Sequence, residues 1–343
     1  MISEEIPVDH VSITVIITAF NRKDFIRNAV NSVLKQTYQR EKYEIIVVKN
    51  YLDEDIDSYL ISAKVVAIKS NDSDTFGKCI SLGIKHAHGE VICFLDDDDE
   101  FVPSKLSEVY SDFNEHNLSF LHNAMIPIDS DGNEVKGHWI WKAIMKDSVV
   151  ISDPTQFSKF GTLFRMGADF GASSICINRD LARRLEPYLG QITSASDNIM
   201  FYLACTIQKP VEITVRRLTK YRIHTSNSSK PVSNSFHTYI KRFKKNAFEA
   251  YDSYKIIYSL VRNYPISRFV GYRLASYKFI YHCSNYEEKS FPNLSDLVHF
   301  ILCDYYLRIP RAIVYGILYI PLKFSTRFRR FFLYFVWKMK YRV

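Results

Sequence analysis

The chain has no CxxC pair among its six cysteines, Cys79, Cys93, Cys176, Cys205, Cys283 and Cys303. Their wide spacing excludes a zinc ribbon and a disulfide-stapled scaffold, and it suits a protein held in a reducing cytosol. No stretch reaches the ~18 apolar residues of a bilayer-spanning helix. The longest tempting run, residues 312–322, is interrupted by Pro321. The amino-terminal segment MISEEIPVDH is acidic and without an apolar core, so no signal peptide is expected there. Internal repeats and low-complexity tracts are also lacking.

The 343 residues are 47% hydrophobic and 24% charged, enough to build a packed core and too apolar for wholesale disorder. This length fits one large domain or two ordinary ones. The net charge of +8 is unevenly spread. Residues 236–343 hold 19 basic against 6 acidic side chains, a net of +13, while residues 1–235 hold 26 against 31, a net of −5. Beyond Asp304 there is no acidic residue, and nine basic ones follow. The polar stretch from His224 to Ser235 separates the two chemistries, giving an expected division into 1–232 and 233–343.

The first part alternates strand-like and helix-like segments. Residues 11–18 are a β-branched run suited to a strand buried on both faces, and 43–48, 64–68 and 91–95 read as three more strands. Apolar residues recur at helical spacing from Phe25 to Leu34, with Asn21 as a possible cap. Residues 76–88 read as a helix terminated by Gly89, and Pro103 as the opening of a helix over 104–117. Strand, helix and strand at short intervals predict βαβ units and a mostly parallel α/β sheet, with an antiparallel piece near the turn at residues 129–133. In open α/β sheets ligands sit at the carboxyl ends of the parallel strands. The places to look are therefore after Thr18, after Val48 and after Leu95.

After Leu95 come Asp96, Asp97, Asp98, Asp99 and Glu100. Packed carboxylates raise one another's pKa unless a cation intervenes, and Mg²⁺ or Mn²⁺ with oxygen ligands is the natural partner, commonly together with substrate phosphates. A solvated acidic loop, or a cap on the helix near Pro103, is the alternative. The placement at a strand's carboxyl end favours a metal–phosphate site.

Residues 11–22 (VSITVIITAFNR), 43–48 (YEIIVV) and 89–99 (GEVICFLDDDD), in that order, resemble glycosyltransferase family 2, the inverting glycosyltransferases of GT-A fold. The likeness spans about residues 1–230. It implies an α/β, GT-A fold: a mostly parallel nucleotide-binding sheet flanked by helices, followed here by a C-terminal helical region. It also implies transfer of a sugar from a nucleotide-sugar donor to an acceptor hydroxyl. Carried over residue by residue, Thr18, Phe20 and Arg22 line the nucleotide pocket. Asp96 and Asp98 match the family's DXD motif, with Asp98 the metal ligand and Asp96 nearer the ribose. Residues 171–179 (GASSICINR) resemble the glycine–serine strand that precedes the acceptor site. Asp197 falls where the family places its general base; read from spacing alone, it is a residue favoured by a helix N-terminus, or one that follows a Ser196 cap. Arg222 and His224 resemble the Arg-x-His segment, implying a metal or diphosphate contact for His224 and a phosphate contact for Arg222.

Two departures stand out. The family often has an acidic pair after the second strand, where this chain has Lys49 and Asn50; Asn50 can still hydrogen-bond a base, and donors other than UDP stay open. Ser196 replaces the acidic residue that commonly precedes the base. These two positions favour the alternative of a non-catalytic GT-A scaffold within a membrane glycan-assembly complex, whereas the intact Asp96, Asp98, Asp197 and His224 favour an enzyme. A sugar-nucleotide-forming nucleotidyltransferase is disfavoured by the absence of a glycine-rich phosphate loop after the first strand.

The carboxyl-terminal region alternates apolar, aromatic and basic patches. Short apolar segments flanked by Trp, Tyr and Lys or Arg suit helices lying at a membrane surface, and each basic residue near anionic lipid is worth ~1 kcal/mol. The expected location is therefore cytoplasmic and peripheral, on the inner face of the membrane, with a glycan or lipid-linked acceptor. A helical layer packed on the catalytic part, or an oligomer interface, with solvated charges, is the alternative. Nucleic acid is not an expected partner, because the patches are too continuously apolar for a phosphate-tracking groove.

Overall fold

The computed structural model describes residues 11–20, 22–137, 147–165, 167–224, 235–285, 293–298, 322–323 and 325–341. It divides into two compact units, Met1–Phe157 with Thr162–His224, and Ser158–Gly161 with Thr225–Val343.

The first unit is built on one nine-stranded sheet. Its parallel half consists of β1 (Ile13–Ala19), β2 (Tyr43–Lys49), β3 (Val66–Lys69) and β4 (Val91–Asp96), in the order β3-β2-β1-β4. All seven side chains of β1 and of β2 are buried, as a strand covered on both faces requires. Helices α1 (Ile26–Leu34), α2 (Glu54–Ser62) and α3 (Phe76–His86) make the crossovers. Helix α1 buries Ile26, Ala29, Val30 and Val33, a spacing of three and four that lays one stripe on the sheet.

The sheet continues with β5 (Glu100–Phe101), helix α4 (Lys105–His116), β6 (Phe120–Ile128), β7 (Val149–Ile151), β8 (Ile175–Asn178) and β9 (Val211–Arg222). Strand β8 is antiparallel to both β4 and β6, β9 runs parallel to β6, and β5 and β7 pair antiparallel with β9. The turn at residues 129–133 is present, closed by the Asp129 carboxylate on the Asp131 and Asn133 amides, and an antiparallel bridge joins Ile128 to Glu134. Helices α5 (Arg179–Leu189) and α6 (Ser196–Ala204) lie between β8 and β9 in sequence.

Several boundaries differ from expectation for local reasons. Helix α3 ends at His86, short of Gly89. The His88 amide donates to Glu44 at 2.6 Å, and the Gly89 amide to the Thr14 hydroxyl at 2.8 Å, so the chain turns into the sheet two residues early. Any side chain at Gly89 would collide with the β1 backbone at Thr14, 2.3 Å away. The residue before α4 is Ser104, so Pro103 stands just outside the helix, its carbonyl accepting from the Thr37 amide. Asn21 lies outside the described residues, and Phe25 directly precedes α1.

The second unit is helical. Helices α7 (Phe236–Val261) and α8 (Ser267–Ser284) pack antiparallel through Tyr254–Tyr277, Tyr251–Tyr281 and Phe248–Tyr281 ring pairs. Helix α9 (Thr326–Tyr341) sets Phe332 into a cluster with Phe279, Cys283, Leu297 and Leu322, and Leu333 against Tyr239 and Ile240. Among the described residues no helix is long and apolar enough to cross a membrane.

Candidate active site

Strand register brings the first three site positions to one edge. Thr18 is level with Val48 on one side and with Asp96 on the other, so the carboxyl ends of β1, β2 and β4 finish together. The Thr18 carbonyl accepts the Asp97 amide at 3.2 Å, and the Asn50 amide donates to the Ala19 carbonyl at 3.3 Å. Asn50 is buried, and its own carbonyl accepts from the Lys69 ammonium. Phe20 is 36% exposed, the most open of this group.

Residues 96–99 form a tight turn, the Asp99 amide returning to the Asp96 carbonyl at 3.2 Å. The carboxylates of Asp96, Asp98 and Asp99 can each bring an oxygen within 4.8 Å of the others, close enough to share one metal ion. Such crowding leaves clear marks. Oδ1 of Asp96 and Oδ2 of Asp97 are buried without a hydrogen-bond partner. Burial, reinforced by the neighbouring carboxylates, pushes Asp96 well above the ordinary carboxylate range, and Asp99 up to about 8. Asp97 is raised to about 7, chiefly by burial and against the pull of Arg22. Orphaned oxygens and reluctant ionisation mark a set of oxygen donors chemically able to hold a hard divalent cation.

Three side chains hold the loop. Arg22 donates one nitrogen to Asp98 at 2.6 Å and the other to Asp97, bridging the two. His224 lies 2.9 Å from the same Asp98 oxygen, beside the metal-competent cluster and outside it. Arg222 is 1% exposed, and its guanidinium donates to the Asp98, Asp129 and Ser130 carbonyls and to the Glu100 carboxylate. Its amide donates to Asp99 at 2.9 Å, and its guanidinium covers the Phe25 ring. The structure therefore gives Arg222 the work of positioning the acidic turn.

Asp197 sits in the first turn of α6, after Ala195, which has the left-handed φ of 68° and takes the cap position in place of Ser196. The Asp197 carboxylate accepts the Gly171 amide at 3.0 Å and the Asn198 amide at 3.0 Å. Burial raises its pKa, those amides oppose the rise, and the nearby Asp169 adds to it. A short turn joins this carboxylate to the metal-competent loop. Two residues after Gly171, the Ser173 hydroxyl accepts the Asp96 amide at 3.0 Å and also bonds the Asp99 carboxylate.

Sequence reasoning gave no role to four of these supports. Lys105, wholly buried, donates to the Ser173 carbonyl at 2.7 Å and to the Thr219 hydroxyl at 2.9 Å. Asp169 accepts the Tyr202 hydroxyl at 2.8 Å, and its carbonyl accepts the Asn198 amide group. Ser173 and Asp97 lay inside quoted motifs but carried no assignment. A lysine or aspartate read one residue at a time gives no sign that it will be buried. Lys49, the departure at the end of β2, is also buried, with its ammonium on Asp57 and the Tyr51 carbonyl, so it is spoken for by a nearby helix and loop.

Residues 14–182 match the family model of glycosyl transferase family 2. An uncharacterized glycosyltransferase of Rickettsia bellii is 33% identical over 125 residues, covering 35% of this chain and 18% of that one. The Escherichia coli protein WfaP, a UDP-Glc:α-D-GlcNAc-diphosphoundecaprenol β-1,3-glucosyltransferase, is 34% identical over 98 residues, 28% of this chain and 38% of that one. The chain spans about a fifth of the length of the first curated relatives it matches. Among solved structures, Staphylococcus aureus TarS 1–349 in complex with UDP-GlcNAc aligns with a TM-score of 0.58 at 16% identity, covering 97% of this chain and 92% of that one. That likeness establishes the GT-A fold.

Proposed function

We propose, from the premise that residues 14–182 are a family 2 glycosyltransferase domain, that the protein is a metal-dependent inverting glycosyltransferase. It moves a sugar from a nucleotide-sugar donor to an acceptor hydroxyl on a lipid-linked or surface glycan. The observation that carries this reading is the path of short chain segments and hydrogen bonds from Asp98, through the 96–99 turn and Ser173, to Gly171 and Asp197. Residues 1–232 hold the catalytic apparatus, and residues 233–343 form a helical region that meets the membrane surface.

In this mechanism Thr18, Phe20 and Asn50 line the nucleotide, with Asp96 near its ribose. Asp98, with Asp96 and Asp99 and flanked by His224, would hold Mg²⁺ or Mn²⁺. When bound, that ion neutralises the diphosphate and makes it a better leaving group. Arg22 lies where its guanidinium can turn from the carboxylates to a diphosphate oxygen. Asp197 accepts the proton of the acceptor hydroxyl. The acceptor oxygen then bonds the anomeric carbon as the bond from that carbon to the diphosphate breaks on the opposite face, and nucleoside diphosphate departs. A carboxylate whose proton affinity is raised by burial suits a base working near neutrality.

The name of the E. coli relative supports a lipid-diphosphate acceptor, and a UDP-sugar is the first donor to try. The proposed location is the cytoplasmic face of the membrane. Calorimetric titration of nucleoside diphosphates and sugar nucleotides, with and without Mn²⁺, tests the reading. Metal-dependent binding of one nucleotide class, lost in Asp98→Ala, supports it; no binding by folded protein overturns it.

A further inference from the structure

Helix α9 divides its side chains cleanly. Arg329, Phe332 and Leu333 are buried, with Phe328 half-buried, against the other helices of the second unit. The opposite stripe, three and four residues apart, leaves Arg327 and Arg330 exposed, together with Phe331 at 63%, Tyr334 at 39% and Phe335 at 49%. Two open phenylalanines one helical turn apart, bordered by arginines, cost a water-facing helix without return. Tyr239 and Ile240 of α7 pack on Leu333 of α9, and Lys241 and Arg242, which follow them, are exposed. The described part of α9 carries no acidic side chain.

We propose that this stripe of α9 is a docking surface for an anionic phospholipid bilayer, with Phe331 and Phe335 entering the headgroup–acyl boundary and Arg327 and Arg330 meeting lipid phosphates. The choice of occupant follows from the charge. A helix with several cations and no anion repels a second copy of itself and complements a negatively charged surface, while aromatic rings flanked by arginine match the interfacial zone in polarity. The inference rests on the proposed lipid-linked acceptor for its purpose, since a protein held at the bilayer meets such an acceptor in two dimensions.

The experiment is co-sedimentation of the full chain with vesicles of phosphatidylcholine alone or mixed with phosphatidylglycerol. Calorimetric nucleotide binding on the same preparations reports separately on the donor site. Wild-type protein is expected to pellet with the mixed vesicles only, less so as salt rises. Arg327→Gln with Arg330→Gln is expected to weaken binding about 30-fold at low salt. Phe331→Ser with Phe335→Ser is expected to weaken it at least about ten-fold, with nucleotide binding unchanged. Wild-type protein that ignores anionic vesicles while still binding nucleotide overturns the docking surface and leaves the donor site standing. Equal vesicle binding by the folded phenylalanine variant overturns it too. So does a dimer in sedimentation equilibrium that this variant dissolves, which would give the stripe to a second copy.

Discussion

Gly171 donates its amide to Asp197 across 3.0 Å, and it does so from a left-handed backbone with φ of +79°. A Cβ on Gly171 would stand 2.3 Å from the Cε of Met125. The backbone demands glycine there, whereas the flexible Met125 methyl can move aside, and the result is an amide aimed at a carboxylate.

Gly171→Ala is therefore expected to destabilise the protein by about 2 kcal/mol, seen as a lowered Tm. Turnover should fall further than the stability loss explains at a temperature where the variant is folded, because the Asp197 carboxylate loses its anchor. Nucleotide binding should change less than turnover does.

Asp197→Asn keeps an oxygen for the Gly171 amide and removes the basic site. Turnover is expected to drop by about 10²–10⁴, with metal-dependent nucleotide affinity unchanged. Steady-state release of nucleoside diphosphate, set beside calorimetry, separates the two effects. A variant that transfers sugar at the wild-type rate would remove Asp197 from the chemistry.

Arg22 bridges Asp97 and Asp98, and Asp98 also belongs to the proposed metal-holding set, so the guanidinium would compete with a divalent ion for that carboxylate. Arg22→Met is expected to bind Mn²⁺ about ten-fold more tightly without nucleotide, because the competing cation is gone. The same variant should bind nucleoside diphosphate more weakly, having lost a phosphate contact. Titrations of each ligand alone measure both shifts, and equal metal affinity in variant and wild type would refute the competition.

The raised carboxyls make stability depend on pH in a definite direction. Asp97 and Asp99 ionise near 3.8 when unfolded and at about 7 and about 8 in the folded protein. Across that window the folded protein holds the extra protons, so metal-free stability should fall as pH rises from about 4 to 8. Saturating Mg²⁺ or Mn²⁺ favours the ionised forms and should flatten the slope. Thermal melts over this range, with chelator or with metal, check the sign.

What the sequence made legible was what depends on neighbours in the chain. The strand at 13–19 is apolar on both faces and could be little else, and the acids after Leu95 had to lie at a strand end. Long-range pairing was not legible. Strand β9 lies between β6 and β5, and only that placement puts Arg222 under Asp98, Asp129 and Ser130. An arginine two residues from a histidine reads as a phosphate ligand, and only the fold shows its guanidinium on three backbone carbonyls and the Glu100 carboxylate. Lys105 gives no local sign of its place for the same reason, since the Ser173 carbonyl and Thr219 hydroxyl that receive it come from distant segments.

The position of β9 also bears on how the chain can be cut. The match to the family model ends at residue 182, yet the strand that completes the sheet begins at Val211. A fragment ending where that match ends would leave β6 with one bare edge and β5 with no neighbour at all, and it would lack Asp197, Arg222 and His224. Such a piece exposes the strand edges that drive aggregation. The compact unit that holds the sheet runs through His224, some forty residues beyond the end of that match, and a fragment meant to fold should reach at least that far.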